Sequence, residues 1–204
     1  MTQSLTDRIL AAQPDPKAAA VLKAGYETFL QFGLKRAAMQ DIADRAGMSR
    51  AALYQHFRNK DDIYAAMMAG YFAAAAEAVE EALASDPDPA RALSAAFEAQ
   101  IGDAAEGLMR SAHAPELFSD THAKAAAIMA EGTLTLAQIY ARWIDQGVLA
   151  GRIAPDAVAG SSLRMAQVML AGFDGLKGLS GDWPAYLDAR RHLARIYARA
   201  LAVS

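Results

Sequence analysis

MQDIADRAGMSRAALYQHFRNK, residues 39–60, reads as two short helices joined by a tight turn. From about Met39 to Ala46, the apolar Ile42 and Ala43 fall on one side and Asp41, Asp44 and Arg45 on the other, the separation of faces expected of a surface helix. Gly47 stops it, because glycine enters the left-handed conformation of a helix C-terminus without steric cost. Met48 is expected to tuck inward, and Ser49 is a good N-cap for a second helix from about Arg50 to His56. On that helix Leu53 and Phe57, four apart, share a buried side, while Arg50, Ala51 and Gln55, with Tyr54 and His56, are expected to project outward. This is a helix-turn-helix, a motif whose second helix enters the DNA major groove. The turn alone is a weak signal, since amphipathic helices joined through Gly-x-Ser also occur in proteins that never touch DNA.

Upstream, Asp15-Pro16 supplies an N-cap followed by proline at the first helical position, so a helix is expected to about Phe32 with Gly33 as its stop. Leu22, Tyr26, Phe29 and Leu30 make its apolar face. Gly25 in its middle costs roughly 1 kcal/mol relative to alanine unless another helix packs closely there, and close packing is the preferred reading. Residues 1–14 read as a loose arm. Downstream, Asn59 can cap a long helix over about 60–84, and Asp88-Pro89 opens another over about 89–110. Pro115 leaves AHAPELFSDTH only one or two turns. Further helices are expected over about 122–147, 155–178 and 183–202, the first ending at Gly147. The predicted fold is all-α, with about nine helices, because no run of alternating β-branched residues appears along the 204 residues.

The net charge of −3 is unevenly spread: residues 1–60 hold nine Lys and Arg against five Asp and Glu, leaving eleven against eighteen in the remainder. A basic end on an acidic chain is what one end meeting phosphate would produce. The chain has no cysteine, which excludes disulfides and thiolate metal sites and fits a reducing compartment. No signal peptide or membrane-length apolar stretch is visible, so a cytoplasmic location and no membrane partner are expected. An enzyme is disfavoured and no catalytic, metal or cofactor site is expected. His113 and His122 lack the i, i+4 spacing of a zinc pair, GLKGLSG at 175–181 follows no strand, and no Gly-x-Ser-x-Gly elbow occurs.

The larger string is more specific than the turn. IADRAG, then Ser49, then ALYQHF and Lys60, preceded by VLKAGYETFLQFG, resembles the DNA-binding end of the TetR family of one-component transcriptional regulators. Leu53, Tyr54, His56, Phe57 and Lys60 all stand where that pattern has them, and the resemblance covers residues 17–70, about a quarter of the chain. It implies a three-helix DNA-binding domain over 15–62 and an effector-binding and dimerisation domain over 63–204. It also implies a homodimer on a palindromic site in double-stranded DNA, acting as a repressor released by a small, mainly apolar effector. An activator, or a helical adaptor with weakened DNA binding, is the alternative.

By position in the motif, Ser49, Tyr54, His56 and Lys60 are phosphate candidates, with Lys35 and Arg36 beside them in the preceding loop. Arg50 and Gln55 have the reach to read guanine and adenine edges, and Ala51 can touch a thymine methyl. One departure stands out: Ala38 occupies the place where the family often has a capping Thr or Ser that touches phosphate. The resemblance further implies an effector cavity, with Phe97, Ile101, Met109, His113, Phe118, His122, Met129, Trp143, Met165 and Met169 as candidate walls. The last two helices would form the dimer through Leu163, Ala166, Leu170, Phe173, Leu193, Ile196 and Tyr197, although such stripes equally suit an ordinary core.

Overall fold

The structure, a computed structural model, describes residues 5–117, 123–158, 160–179 and 182–203. Among these are ten α-helices: α1 (Leu5–Ala11), α2 (Pro16–Arg36), α3 (Met39–Arg45), α4 (Arg50–His56), α5 (Lys60–Ala84), α6 (Pro89–Arg110), α7 (Ala114–Leu117), α8 (Ala123–Leu149), α9 (Ser162–Leu179) and α10 (Trp183–Leu201). A 3-10 turn covers Pro155–Val158, and the described residues form no strand. The all-α expectation is met. The arm expected over 1–14 is instead partly helical: residues 5–11 form α1, whose Ile9 Cγ2 lies 3.0 Å from where a Cβ on Gly70 would stand. Alternation of Leu5, Ile9 and Leu10 with polar residues was the overlooked signal. The long helix expected to stop at Gly147 continues to Leu149, because Gly147 is where Ile153 folds back; a Cβ there would meet Ile153 Cδ1 at 2.5 Å.

The chain divides into two compact units. One comprises Met1–Ala74 with Gly102–Gly132, the other Ala75–Ile101 with Thr133–Ser204. The divisions fall inside α5, α6 and α8. The one in α6 coincides with Gly102, whose φ of 54° takes the chain out of helical geometry.

In the first unit, α2 begins as anticipated: Asp15 accepts a hydrogen bond from the Lys17 amide at 2.9 Å, with Pro16 at the first turn. Val21, Leu22, Phe29 and Leu34 of α2 join Ile42 of α3, Leu53 of α4 and Ile63 of α5 in one core, each at most 2% exposed. A Cβ on Gly25 would lie 2.7 Å from Ile63 Cγ2, so glycine is there because α5 packs against α2 at that point. Phe29 and Tyr64 meet edge to face at 5.9 Å. Tyr64 donates its hydroxyl to the Leu117 carbonyl, and burial pushes its phenol up to about 12.

The second unit is built on an aromatic group. Phe97 of α6 meets Phe173 of α9 edge to face at 3.9 Å and Tyr140 of α8 at 5.7 Å. Arg190 of α10, 6% exposed, lies over the Phe173 ring at 4.5 Å and donates to the Tyr186 hydroxyl at 3.0 Å and to the Phe97 carbonyl. A delocalised guanidinium suits such a place, since it can stack on rings while spending its donors on neutral oxygens.

Candidate nucleic-acid interface

Residues 38–60 build a rigid corner from local rules. Gly47 takes a φ of 68° after α3, and the Met48 amide returns to the Ala43 carbonyl at 3.0 Å, closing the turn. Ser49 caps α4 by accepting from the Ala52 amide at 3.1 Å. Leu53 anchors the inner side of α4 with no exposure, and Met48 and Phe57 pack partly buried beside it. The outer side is therefore fixed by burial of the inner one: Arg50, Ala51, Tyr54 and Gln55 are all exposed. Arg50 Nη2 approaches the Tyr54 hydroxyl at 3.3 Å, and its guanidinium lies 5.5 Å from the Tyr54 ring centre. The two side chains, one helical turn apart, thus limit each other's rotamers on the face that would meet DNA.

The remaining phosphate candidates have work inside the fold. Lys60 Nζ donates to the carbonyls of Lys35 at 2.7 Å and Ala37 at 3.0 Å, so it closes off the end of α2 and the link into α3. His56 Nδ1 lies 3.1 Å from Asp15 Oδ2, tying the end of α4 to the cap of α2. Lys35 and Arg36 are exposed on the approach to the motif. The Lys35 amide is itself held, donating to Glu116 Oε1 at 2.5 Å, and the Ser111 hydroxyl donates to the Leu30 carbonyl at 3.0 Å. Gly33, with φ 73°, makes room for this: a Cβ there would fall 2.7 Å from Glu116 Oε2.

At Ala38 the structure refines the expectation of a missing cap. Its side chain can accept nothing, but Asp41 Oδ2 accepts from the Ala38 amide at 3.2 Å, which is half of a capping box. Arg45 is a positioning residue that the sequence reading missed. Its guanidinium donates to Thr28 Oγ1 at 2.7 Å and Gln31 Oε1 at 2.5 Å, with Glu27 at 3.7 Å, pinning α3 to α2. The spacing of Glu27, Thr28 and Gln31 along one side of α2 was its only sequence signal. Nearby, Lys124 of α8 bonds Asp62 at 2.6 Å and holds that carboxyl below the usual carboxylate range.

The proposed effector walls are not gathered by the described contacts. Phe97, Ile101 and Met169 are buried in the second unit's own core, with Trp143 and Met165 half-buried in that unit. Met109, His113 and Met129 belong to the first unit, where Met129 packs on its core and the His113 carbonyl starts α7 by accepting from Glu116 and Leu117 amides. Phe118 and His122 lie outside the described residues. A recess does exist in the first unit, lined by α1, α2, α5 and α6, and none of these ten residues lines it.

The residues expected at a dimer interface separate in the same way. Leu163 is 38% exposed and Ile196 54%, and Leu193 and Tyr197 are half-buried. Ala166, Leu170 and Phe173 are buried within the protomer, at 0%, 6% and 3% exposure, and the Phe173 ring packs on Phe97 beneath Arg190. Val168, half exposed on the opposite side of α9, was not on the expected list. Among the described residues no group of His, Asp or Glu is placed to hold a metal ion, and no helix is long and apolar enough to cross a membrane.

The family model describing bacterial regulatory proteins of the tetR family matches residues 21–67, which contain the whole motif and most of the core beneath it. That stretch, less than a quarter of the 204 residues, is similar to the tetR family of bacterial regulatory proteins. A curated relative, the HTH-type transcriptional activator FasR of Mycolicibacterium smegmatis, is 38% identical over 85 residues, 42% of this chain. That match spans only 39% of FasR's own length. The TetR-like fold extends further than the sequence likeness. The fatty acid degradation regulator FadR of Bacillus halodurans superposes with a TM-score of 0.73 at 14% identity, covering 91% of this chain and 96% of that one. SmeT in complex with triclosan gives 0.70 at 18% identity, covering 93% of each.

Proposed function

We propose that this protein is a ligand-responsive transcriptional regulator that binds a palindromic site in double-stranded DNA as a homodimer and represses until a small, mainly apolar effector releases it. The observation that carries this reading is the outer side of α4, where Arg50, Ala51, Tyr54 and Gln55 are presented together by a helix capped by Ser49 and anchored by Leu53. Arg50 and Gln55 read base edges and Ala51 packs on a thymine methyl. Tyr54, Ser49, Lys35 and Arg36 contact phosphates. Lys60 and His56 stand at the same surface but act chiefly by holding α2 in place, given their carbonyl and carboxylate partners. Residues 15–62 are the DNA-reading part, and the protein works in the cytoplasm.

Dimerisation follows from geometry. One such domain covers a few base pairs, and two-fold symmetry sets two recognition helices about 34–36 Å apart. The exposed Leu163, Val168 and Ile196 on α9 and α10 supply the apolar surface for it. Small-molecule control is in keeping with a SmeT structure that holds triclosan. One observation favours a second reading, an activator, since the FasR relative carries that description. The half capping box at Ala38 argues against an adaptor that has lost DNA binding.

Selection of bound duplexes from a random pool, followed by titration at several salt concentrations, tests the proposal. A regulator returns one palindrome, with affinity falling steeply as salt rises. Recovery of unrelated sequences with no salt dependence would sink it. Transcription from a promoter carrying the selected site, with and without the protein, separates repressor from activator.

A further inference from the structure

The last turn of α2 is held from outside its own helix. Gly33 interrupts α2 with a φ of 73° and a ψ of 163°, and such a break turns the next amides away from the carbonyls one turn back. The Lys35 amide has its acceptor 81 residues further along the chain, on Glu116 Oε1 at 2.5 Å. The Lys35 carbonyl is held as well, accepting from Lys60 Nζ at 2.7 Å. Both main-chain polar atoms of one exposed residue are therefore fixed by side chains of distant helices, a carboxylate on the N–H and an ammonium on the C=O.

Glu116 is itself set in place. It lies on α7, which is anchored by the fully buried Leu117, and the Leu117 carbonyl accepts from the Tyr64 hydroxyl. Ser111, just before α7, donates to the Leu30 carbonyl at 3.0 Å. Glu116 Oε2 and the His113 ring occupy the space a Cβ on Gly33 would need, at 2.7 and 3.1 Å from it. Glycine at position 33 thus lets the carboxylate reach the backbone beyond it.

We propose that Glu116 is a positioning residue for DNA binding, which aims Lys35 and Arg36 at phosphates by fixing the backbone from which they leave α2. The inference rests on the regulator reading above, and it adds to residues 15–62 a part from far outside the matched stretch 21–67. A carboxylate one hydrogen bond from two phosphate contacts repels the phosphates they attract, so its charge works against binding. What Glu116 contributes is order. With its N–H and C=O both engaged, Lys35 keeps one direction for its Cα–Cβ bond before DNA arrives, and the entropy of arranging that backbone is not lost on binding.

The test uses the full chain and the selected duplex. Glu116→Gln keeps an oxygen that accepts from the Lys35 amide, whereas Glu116→Met keeps the bulk at Gly33 and offers only a weak acceptor. Both lose the charge, so the difference between them isolates the hydrogen bond. The Met variant should bind about fivefold or more weakly than the Gln variant. In a chain that also carries Lys35→Ala and Arg36→Ala, the two should bind alike, since nothing is left to aim. A residue that only stabilised α7 would give the same difference in both backgrounds. Equal binding by the Gln and Met variants, or a difference that persists without Lys35 and Arg36, overturns the proposal. In the unsubstituted chain, NMR should show a scalar coupling across the hydrogen bond, from the Lys35 amide nitrogen to the Glu116 carboxyl carbon. Its absence overturns the proposal even where the Met variant does not fold. A parent that binds no duplex overturns the regulator reading and the DNA role with it, whereas a parent that binds, with Gln and Met variants alike, overturns the role alone.

Discussion

The α3–α4 corner and the α9–α10 pair present opposite problems to a reader of the sequence. In the corner, the residues that matter are polar and sit outside a seven-residue helix whose inner side is set by Leu53 alone. In the pair, they are apolar and repeat at helical spacing, and Ala166, Leu170 and Phe173 turn out to fill the protomer while Val168 and Ile196 face outward. A polar outer face admits one orientation once its inner side is buried. An apolar stripe is satisfied equally by its own core or by a partner. Phe173→Ala gives the largest contrast. With the ring 3% exposed, 3.9 Å from Phe97 and beneath Arg190, the change should cost about 3–5 kcal/mol, read from urea unfolding at fixed protein concentration. If Phe173→Ala instead dissociated a dimer and left unfolding of the protomer intact, the assignment of inner and outer sides would be wrong.

Ile196→Asp probes the other side of the same pair. Exposed by 54% in the protomer, Ile196 should tolerate aspartate with little loss of folding, yet a desolvated carboxylate at the centre of an interface should weaken dimerisation by about 2 kcal/mol or more. Sedimentation at graded concentrations measures it. A dimer that persists unchanged would mean that α10 pairs through another surface or not at all.

How much was legible follows from the same contrast. The helix boundaries around the motif came from residues with one local job: Asp15-Pro16, Gly47, Ser49 and Asn59, the last accepting from the Asp62 amide at 2.8 Å. Gly25 announced close packing because an interior glycine is otherwise a cost, and Ile63 occupies the space its Cβ would need. What stayed hidden depends on distant segments. Lys60 looks like a phosphate ligand at a helix start, but its partners are carbonyls about 25 residues back. Arg190 could not be distinguished from a solvated arginine, since only Phe97, Phe173 and Tyr186 together make a buried place for a guanidinium. The recess under α1 was invisible because the segment forming one wall read as a loose arm.

Within the corner, Arg50→Ala separates base reading from shape. It should remove about 1–3 kcal/mol of discrimination at one position of the selected site and leave thermal unfolding unaltered, because Arg50 is exposed and its side chain meets Tyr54, itself exposed. Uniform weakening on all duplexes would make Arg50 a phosphate contact. Lys60→Ala should do the reverse. Losing two hydrogen bonds to carbonyls should lower stability by about 1 kcal/mol and weaken every duplex alike through a looser α2–α3 link. The slope of log affinity against log salt is decisive: it should stay constant, whereas a lost phosphate contact would reduce it by about 1.

The smallest effect belongs to Asp41→Ala. Asp41 supplies the half of the capping box that survives at Ala38, and nothing else satisfies that amide among the described hydrogen bonds. Removing its carboxylate takes away one bond to a helix start and one favourable charge in the first turn of α3, together about 0.5–1 kcal/mol. Restoring the missing half by Ala38→Thr should stabilise by a similar amount and, with a hydroxyl now at the DNA-facing entrance, should tighten binding. Combined, the two changes should nearly cancel in thermal unfolding but not in DNA affinity. If they cancel in both, Ala38 affects DNA binding only through the stability of α3. The corner would then differ from the α9–α10 pair in chemistry alone, since both would act by packing.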